Sequence, residues 1–174
     1  MSKKIVLYYS KYGSTAEYAK YLSEGLGCEC FPVEGAKDMD LSDCDVIIFG
    51  AGLYAGKIKH EDVFLKNPKA RRILFTVGIA DPESSDYSDI LKRNFSEELL
   101  KDLEVFHLRG RLDYKNMTLV HRAMMWCLIN FKVKRTKPED MTEDMKMMIE
   151  TYGKEVDFTD LKSAEPILKL FNEE

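Results

Sequence analysis

The chain has 174 residues, of which 45% are hydrophobic and 32% are charged, as is typical of a globular protein with a substantial buried core. Its formal net charge of −4 argues against a general nucleic-acid-binding protein. No stretch has the length and apolar character of a membrane span or a secretory signal, so we expect one cytosolic domain over residues 1–174.

The cysteines and histidines do not predict a metal site. Cys28 and Cys30 are close in the sequence, but no second pair follows, and His60, His107 and His121 are far apart. A structural zinc site requires four ligands at suitable spacing. We therefore expect reduced thiols and no bound metal.

The segment Ser10–Thr15 is predicted to lie where a strand turns into a helix. It follows the apolar, β-rich run Ile5–Tyr9 and precedes an amphipathic helical pattern that ends at Gly27. Such a turn directs several backbone N–H groups and the positive end of the helix dipole at one point, which suits a phosphate. No lysine follows in the position used by nucleoside-triphosphate sites, so the segment favours a phosphate monoester bound without a metal.

The residue types in this segment support the same interpretation. Its hydroxyl groups can donate hydrogen bonds, and Gly13 allows the backbone to approach a ligand closely. Ser14 and Glu17 also have the spacing of a capping box, so a helix N-terminus stabilised by side chains is the alternative. The residues predicted to hold the phosphate are Ser10, Lys11, Tyr12, Gly13, Ser14 and Thr15.

Four further segments predict the rest of a sheet. Cys28–Val33 contains Pro32, which cannot donate a ladder hydrogen bond, so this strand belongs at an edge. Val46–Ala51 and Ile73–Gly78 are continuously apolar, as expected of strands buried inside a parallel sheet. Val105–Leu112 alternates apolar and polar residues, which favours the opposite edge. The patterns predict an α/β fold with a doubly wound, five-stranded parallel sheet in the order 2-1-3-4-5.

In this topology ligands bind beyond the carboxyl ends of the strands, near the switch between strands 1 and 3. Two further loops meet the first one there. The second loop places one aromatic residue among small ones and is predicted to lie against one side of a planar ring, through Ala51, Gly52, Leu53, Tyr54, Ala55, Gly56 and Lys57. The third loop is predicted to line the other side through Gly78, Ile79, Ala80 and Asp81, with an ordinary solvated turn as the alternative.

Residues 115–153 are predicted to form a helical insertion between the last strand and the final helix. Its first half contains the uncharged run 123–131 around Trp126, and eight Lys or Arg but one acidic residue lie between positions 109 and 137. The run is shorter than the ~20 residues that span a bilayer. It is consistent with a helical hairpin that packs on the sheet with Trp126 and the methionines in its core, with a wall for a large apolar substrate, or with a peripheral membrane contact through residues 115–137.

The chain resembles a known family at several of these segments. Ser10–Thr15 resembles the FMN-phosphate loop of flavodoxins, and the resemblance covers the whole chain. Gly50–Lys57, Gly110–Tyr114 and the insertion resemble more closely the flavodoxin-domain proteins that include menaquinone-dependent protoporphyrinogen oxidase. The resemblance implies a flavodoxin-like fold with FMN as the cofactor at the three loops, and it marks no catalytic residue.

Two functions follow from this resemblance. The first is an FMN-dependent oxidoreductase acting on a small molecule, with a porphyrinogen as substrate, a quinone as acceptor, and the insertion as a substrate wall. The second is an electron carrier that docks on protein redox partners. Such carriers usually have a strongly acidic face around the flavin, and the net charge of −4 is modest. We expect no nucleic-acid partner for either.

Overall fold

A computed structural model describes residues 2–54 and 56–171. Five strands form a parallel sheet in the order β2-β1-β3-β4-β5, which confirms the predicted α/β flavodoxin-like topology. Pro32 ends the edge strand β2, where its missing N–H group does not interrupt a ladder between two neighbours. The strands are β1 (Lys4–Tyr9), β2 (Glu29–Pro32), β3 (Val46–Gly52), β4 (Arg71–Gly78) and β5 (Leu103–Arg109).

The central strands are apolar throughout because both faces of the sheet are covered. Consecutive side chains of a strand point to opposite faces, so Ile47 and Ile48 of β3 belong to two different hydrophobic clusters. The second cluster contains Phe75 and also Leu22 from the helix α1 (Ser14–Leu26). The start of α1 is thereby fixed at the carboxyl end of β1.

Short helices follow α1 along the chain. Gly27 ends α1 in the left-handed conformation, with φ 61°, as the sequence predicts. The remaining α-helices are α2 (Ser88–Asn94), α3 (Glu97–Lys101), α4 (Leu119–Cys127), α5 (Glu143–Thr151) and α6 (Glu165–Lys169). Within the described ranges, no helix is both long and apolar enough to cross a membrane.

The predicted strand Val105–Leu112 is wrong in its last part. β5 ends at Arg109, and a separate strand, β6 (Arg111–Asp113), pairs antiparallel with β7 (Glu155–Asp157). This two-stranded ribbon joins the two ends of the helical insertion, which precedes the final helix as predicted.

Gly110 lies at the break between β5 and β6. A Cβ atom at this position would lie 2.6 Å from Cγ1 of Val77 and 3.1 Å from Cβ of Ser14. The sheet and the start of α1 approach each other so closely here that a larger residue would clash with both. The insertion therefore leaves the sheet directly beside the first loop.

Candidate functional site

The first loop turns the chain from β1 into α1 at Gly13. Gly13 has φ 98°, a conformation that favours glycine, and its N–H group donates to Oγ of Ser10 at 3.1 Å. A Cβ atom on Gly13 would have no neighbour within 4 Å, so the space beside the turn is open. The next residues, Ser14 and Thr15, begin the helix, and their N–H groups have no acceptor within it.

The capping box that the sequence allows is not formed. Gly13 is the N-cap of α1, and no side-chain hydrogen bond caps this helix in the described part of the chain. Oγ of Ser14 instead accepts a hydrogen bond from the N–H group of Arg111 at 3.0 Å, and the carboxylate of Glu17 pairs with the Arg111 guanidinium. Ser14 and Glu17 therefore connect α1 to the start of the insertion.

The second loop is a tight hairpin. Tyr54 and Lys57 exchange backbone hydrogen bonds of 3.2 and 3.0 Å, and Gly56 has the left-handed φ of 75° that this turn requires. The side chain of Asn94, on α2, donates to the Gly56 carbonyl at 2.9 Å and so fixes the tip. Ala55, predicted as part of the same loop, lies outside the described residues.

The ring of Tyr54 lies over the first loop. Its hydroxyl oxygen accepts a hydrogen bond from the N–H group of Lys11 at 3.0 Å, and its ring centroid is 6.2 Å from that of Tyr12. A Cβ atom on Gly52 would lie 2.9 Å from the Tyr54 hydroxyl, so glycine at this position leaves room for the ring. Burial raises the pKa of Tyr54 to about 12, which keeps the phenol neutral at physiological pH.

The second loop is attached to the sheet at β4 and the third at β5. The N–H group of Leu53 donates to the Val77 carbonyl at 2.9 Å, and the Leu53 side chain packs beside Gly78. The carbonyl of Ile79 accepts from Nε of Arg109 at 3.3 Å. Ala51 is fully buried in the core between β1 and β4, so it presents no exposed atom to a ligand in this structure.

Two aromatic residues support the third loop. The rings of Tyr87 and His107 stack with centroids 3.7 Å apart, and the Tyr87 hydroxyl donates to the Ala80 carbonyl at 3.5 Å. Nδ1 of His107 lies 2.6 Å from Oγ1 of Thr76, and burial lowers the pKa of His107 to about 4. Asp81 starts a local turn by accepting from the N–H group two residues later. The loop is thus braced by side chains of α2's N-cap and β5.

His107 is expected to make stability depend on pH. Its pKa is about 4 in the folded chain and about 6.5 when unfolded, so the unfolded state binds more protons between these values. Stability is therefore complete above about pH 6.5 and falls towards pH 4, by on the order of 1 kcal/mol because part of the ring is solvated. His107→Phe retains a ring beside Tyr87 and should flatten this profile.

Urea unfolding midpoints measured across that pH range test the expectation. His60→Asn is the matched control, because His60 contacts neither Tyr87 nor Thr76 in the described structure, and it should keep the wild-type profile. An unchanged slope in His107→Phe would show that other groups set the pH dependence.

A cavity of about 630 Å³ lies beside the second loop and is separate from the meeting point of the three loops. Its lining does not include any described residue of the first or third loop. It is formed by Gly56, Lys57, Ile58, Lys59, His60, Glu61, Arg93 and Asn94.

The comparison with known families identifies the fold family. The family described as "Flavodoxin domain" matches residues 5–139, which include β2 to β5, all but the first residue of β1, the three loops and α4. The chain belongs to the flavodoxin-domain family. No curated protein matches the chain in the comparison with curated sequences.

Several solved structures also resemble this chain at low sequence identity. Oxidised flavodoxin 2 from Bacillus cereus is 18% identical, with a TM-score of 0.43 and coverage of 62% of this chain and 84% of that one. A flavoprotein in complex with FMN from Lactobacillus acidophilus is 16% identical, with a TM-score of 0.42 and coverage of 63% and 93%. The Trp repressor binding protein from Bacillus subtilis is 14% identical, with a TM-score of 0.44 and coverage of 62% and 83%.

In this flavodoxin-domain protein, the insertion adds a histidine to the first loop. Nδ1 of His121, on α4, lies 2.6 Å from the Tyr12 hydroxyl, and Nε2 lies 3.5 Å from Nζ of Lys11. Partial burial and the positive charges of Lys11 and Lys59 lower the pKa of His121. The sequence alone does not indicate this role of His121, because no local spacing relates it to a loop more than a hundred positions earlier.

The insertion also exposes large apolar side chains. Trp126 is 50% exposed and Phe131 is 55% exposed, and their rings contact each other edge to face with centroids 5.7 Å apart. The interpretation of Trp126 as the core of a helical hairpin is therefore wrong; Ile129 and Val133 are the buried residues instead. We call the exposed residues the insertion surface: Leu119, Val120, Met124, Trp126, Phe131, Lys132, Lys134 and Arg135.

Proposed function

We propose that this flavodoxin-domain protein binds FMN and acts as an FMN-dependent oxidoreductase. The observation that supports it best is the first loop, where an open glycine turn leads into the N-terminus of α1. The residues that would hold the phosphate are Ser10, Lys11, Tyr12, Gly13, Ser14 and Thr15. A single loop of this kind fits a phosphate monoester, because the helix dipole and the first-turn N–H groups stabilise its negative charge.

The ring of the flavin would lie between the second and third loops. Gly52–Lys57 would face one side, with Tyr54 as its aromatic residue, and Gly78–Asp81 would face the other. In the present structure the Tyr54 hydroxyl accepts from the Lys11 N–H group. A phosphate that takes over this N–H group would release Tyr54, whose ring is then available to pack on the flavin.

FMN, when bound, supplies the capacity to accept and donate electrons, and the protein supplies binding and orientation. Asn94 would fix the second loop through Gly56, and Arg109 would fix the third through the Ile79 carbonyl. The neutral His107 and its partner Tyr87 would keep the third loop in place without adding a charge beside the ring.

The insertion surface favours an apolar substrate with anionic groups. It combines exposed aromatic and aliphatic side chains with cations, and the same insertion contacts the first loop through His121. A porphyrinogen has an apolar macrocycle with carboxylates and is complementary to such a surface, and a quinone would serve as acceptor. The same charges also fit a peripheral contact with anionic lipid, which is the second candidate role of residues 115–137.

The test of substrate class is anaerobic turnover of protoporphyrinogen IX by the FMN-loaded protein. We expect its oxidation to require both the protein and a quinone, with free FMN at the same concentration as the blank. FMN binding without oxidation above the blank would contradict the substrate proposal. It would instead favour an electron carrier that delivers electrons to a protein partner.

A further inference from the structure

His121 reaches the first loop from a different part of the chain. Its Nδ1 lies 2.6 Å from the Tyr12 hydroxyl and its Nε2 lies 3.5 Å from Nζ of Lys11. Its ring centroid is also 5.6 Å from that of Tyr54. One side chain of the insertion thus contacts the first loop, which the proposed function places at the phosphate, and Tyr54 of the second loop.

Two hydrogen bonds at the start of α4 fix the position of His121. Thr118 is the N-cap of α4, and its Oγ1 accepts a hydrogen bond from the His121 N–H group at 3.4 Å. The guanidinium of Arg122 donates to the Lys115 carbonyl at 2.8 Å and fastens the same turn to the preceding chain. His121 is therefore in the first turn of α4, where both contacts restrict the backbone.

The groups around His121 form a positive cluster. Lys11 and Lys59 act on its imidazole, and the phenols of Tyr12 and Tyr54 complete its surroundings. Neither lysine forms an ion pair with a carboxylate in the part of the chain that the structure describes. Together with burial, the two lysines lower the pKa of His121. Two cations beside a histidine disfavour its protonated form unless an anion binds next to all three groups.

We infer that His121 binds the phosphate of FMN together with Lys11, so that the insertion completes the phosphate site. This inference rests on the proposed FMN binding and deepens it. A phosphate between these groups neutralises the cluster and favours the imidazolium, which donates a charge-assisted hydrogen bond. The Tyr12 hydroxyl then positions the imidazole of His121 through Nδ1, while Nε2 faces the phosphate.

The inference makes FMN affinity depend on pH in a defined direction. The neighbouring lysines disfavour the imidazolium in the free protein, and the phosphate favours it in the complex. Binding therefore takes up a proton at the imidazole, so FMN affinity should fall as pH rises from about 7 to about 8.5, a range in which the phosphate, with a second pKa of about 6, is already a dianion. Riboflavin has no phosphate, and its affinity should stay level over the same range.

The experiment measures dissociation constants for FMN and riboflavin at these pH values by flavin fluorescence. His121→Gln should weaken FMN by roughly tenfold at about pH 7, as expected for one charge-assisted hydrogen bond, and should flatten the pH profile. His121→Lys keeps a positive charge and should bind FMN tightly at both ends of the range. His60→Asn is the control and should behave as wild type.

The outcomes separate this inference from the proposed function. A flat wild-type profile, or a His121→Gln profile equal to wild type, with FMN still bound, would overturn the role of His121 alone. Equal weakening of FMN and riboflavin by His121→Gln would assign it a structural role and would also overturn the inference. Absence of FMN binding to the wild-type protein would overturn the proposed function together with it.

Discussion

Removing the hydroxyl groups of Ser10 and Thr15 together is expected to raise the Kd for FMN by on the order of a hundredfold or more, with little change for riboflavin. Each hydrogen bond to a charged group contributes roughly 1.5–3 kcal/mol to the binding free energy. Riboflavin has no phosphate to accept these hydrogen bonds, so its affinity does not depend on them. Oγ of Ser10 also accepts from the Gly13 N–H group at 3.1 Å, so its removal loosens the turn itself. Fluorescence titration of Ser10→Ala/Thr15→Val with both flavins measures the effect.

Ser23→Ala is the matched control for this double variant. Ser23 is a buried serine in the same helix, near its other end, and its hydroxyl donates to the Lys20 carbonyl at 2.9 Å. Its loss should change stability and leave the ratio of FMN to riboflavin affinity unaltered. Equal losses for both flavins in the double variant would show that the phosphate does not lie in the first loop.

The sheet could be predicted from the sequence because the burial of each strand determines which residue types that strand contains. A strand covered on both faces is apolar throughout, as β3 is, and an edge strand tolerates proline, as β2 does. The end of β5 was not predictable in the same way. The alternation of Val105–Leu112 continues through Gly110, and only the nearness of Val77 and Ser14 shows why the strand stops there.

The three loops were predictable as a group, but their supporting contacts were not. Topology alone places the carboxyl ends of neighbouring strands together, so Ser10–Thr15 and Gly78–Asp81 could be assigned to one edge. The stacking of Tyr87 on His107 depends on tertiary contacts that no periodicity encodes. Ser14 and Glu17 have the spacing of a capping box, but the Ser14 hydroxyl oxygen accepts a hydrogen bond from the N–H group of Arg111 instead.

The insertion shows a second reason for such errors. An amphipathic pattern indicates that a helix has an apolar face, but it does not indicate whether another element covers that face. In the described structure Ile129 and Val133 are buried, while Trp126 and Phe131 remain exposed. The apolar run that predicted a core therefore contributes to both the interior and the surface.

Replacing Lys132, Lys134 and Arg135 with glutamine is expected to weaken binding to anionic vesicles by roughly a hundredfold at low salt, because each basic residue near such a surface contributes about 1 kcal/mol. All three side chains are exposed, so their loss should leave the core and the FMN content unchanged. Arg122 is retained because its guanidinium holds the start of α4 through the Lys115 carbonyl. Vesicle co-sedimentation and porphyrinogen turnover, each at low and high salt, measure the effect.

A control variant loses three positive charges outside the insertion. It shows whether vesicle binding depends on the insertion surface or only on the net charge of the protein. Lys37, Lys69 and Lys101 are exposed lysines outside the insertion, and their replacement by glutamine should leave vesicle binding almost intact. Trp126→Ser should weaken vesicle binding at high salt as well, because burial of a large apolar side chain is not screened. If turnover falls in the basic variant while vesicle binding does not, the insertion surface receives the substrate rather than lipid. If neither responds, the exposed side chains have no role with either partner, and delivery of electrons to a protein becomes the better explanation.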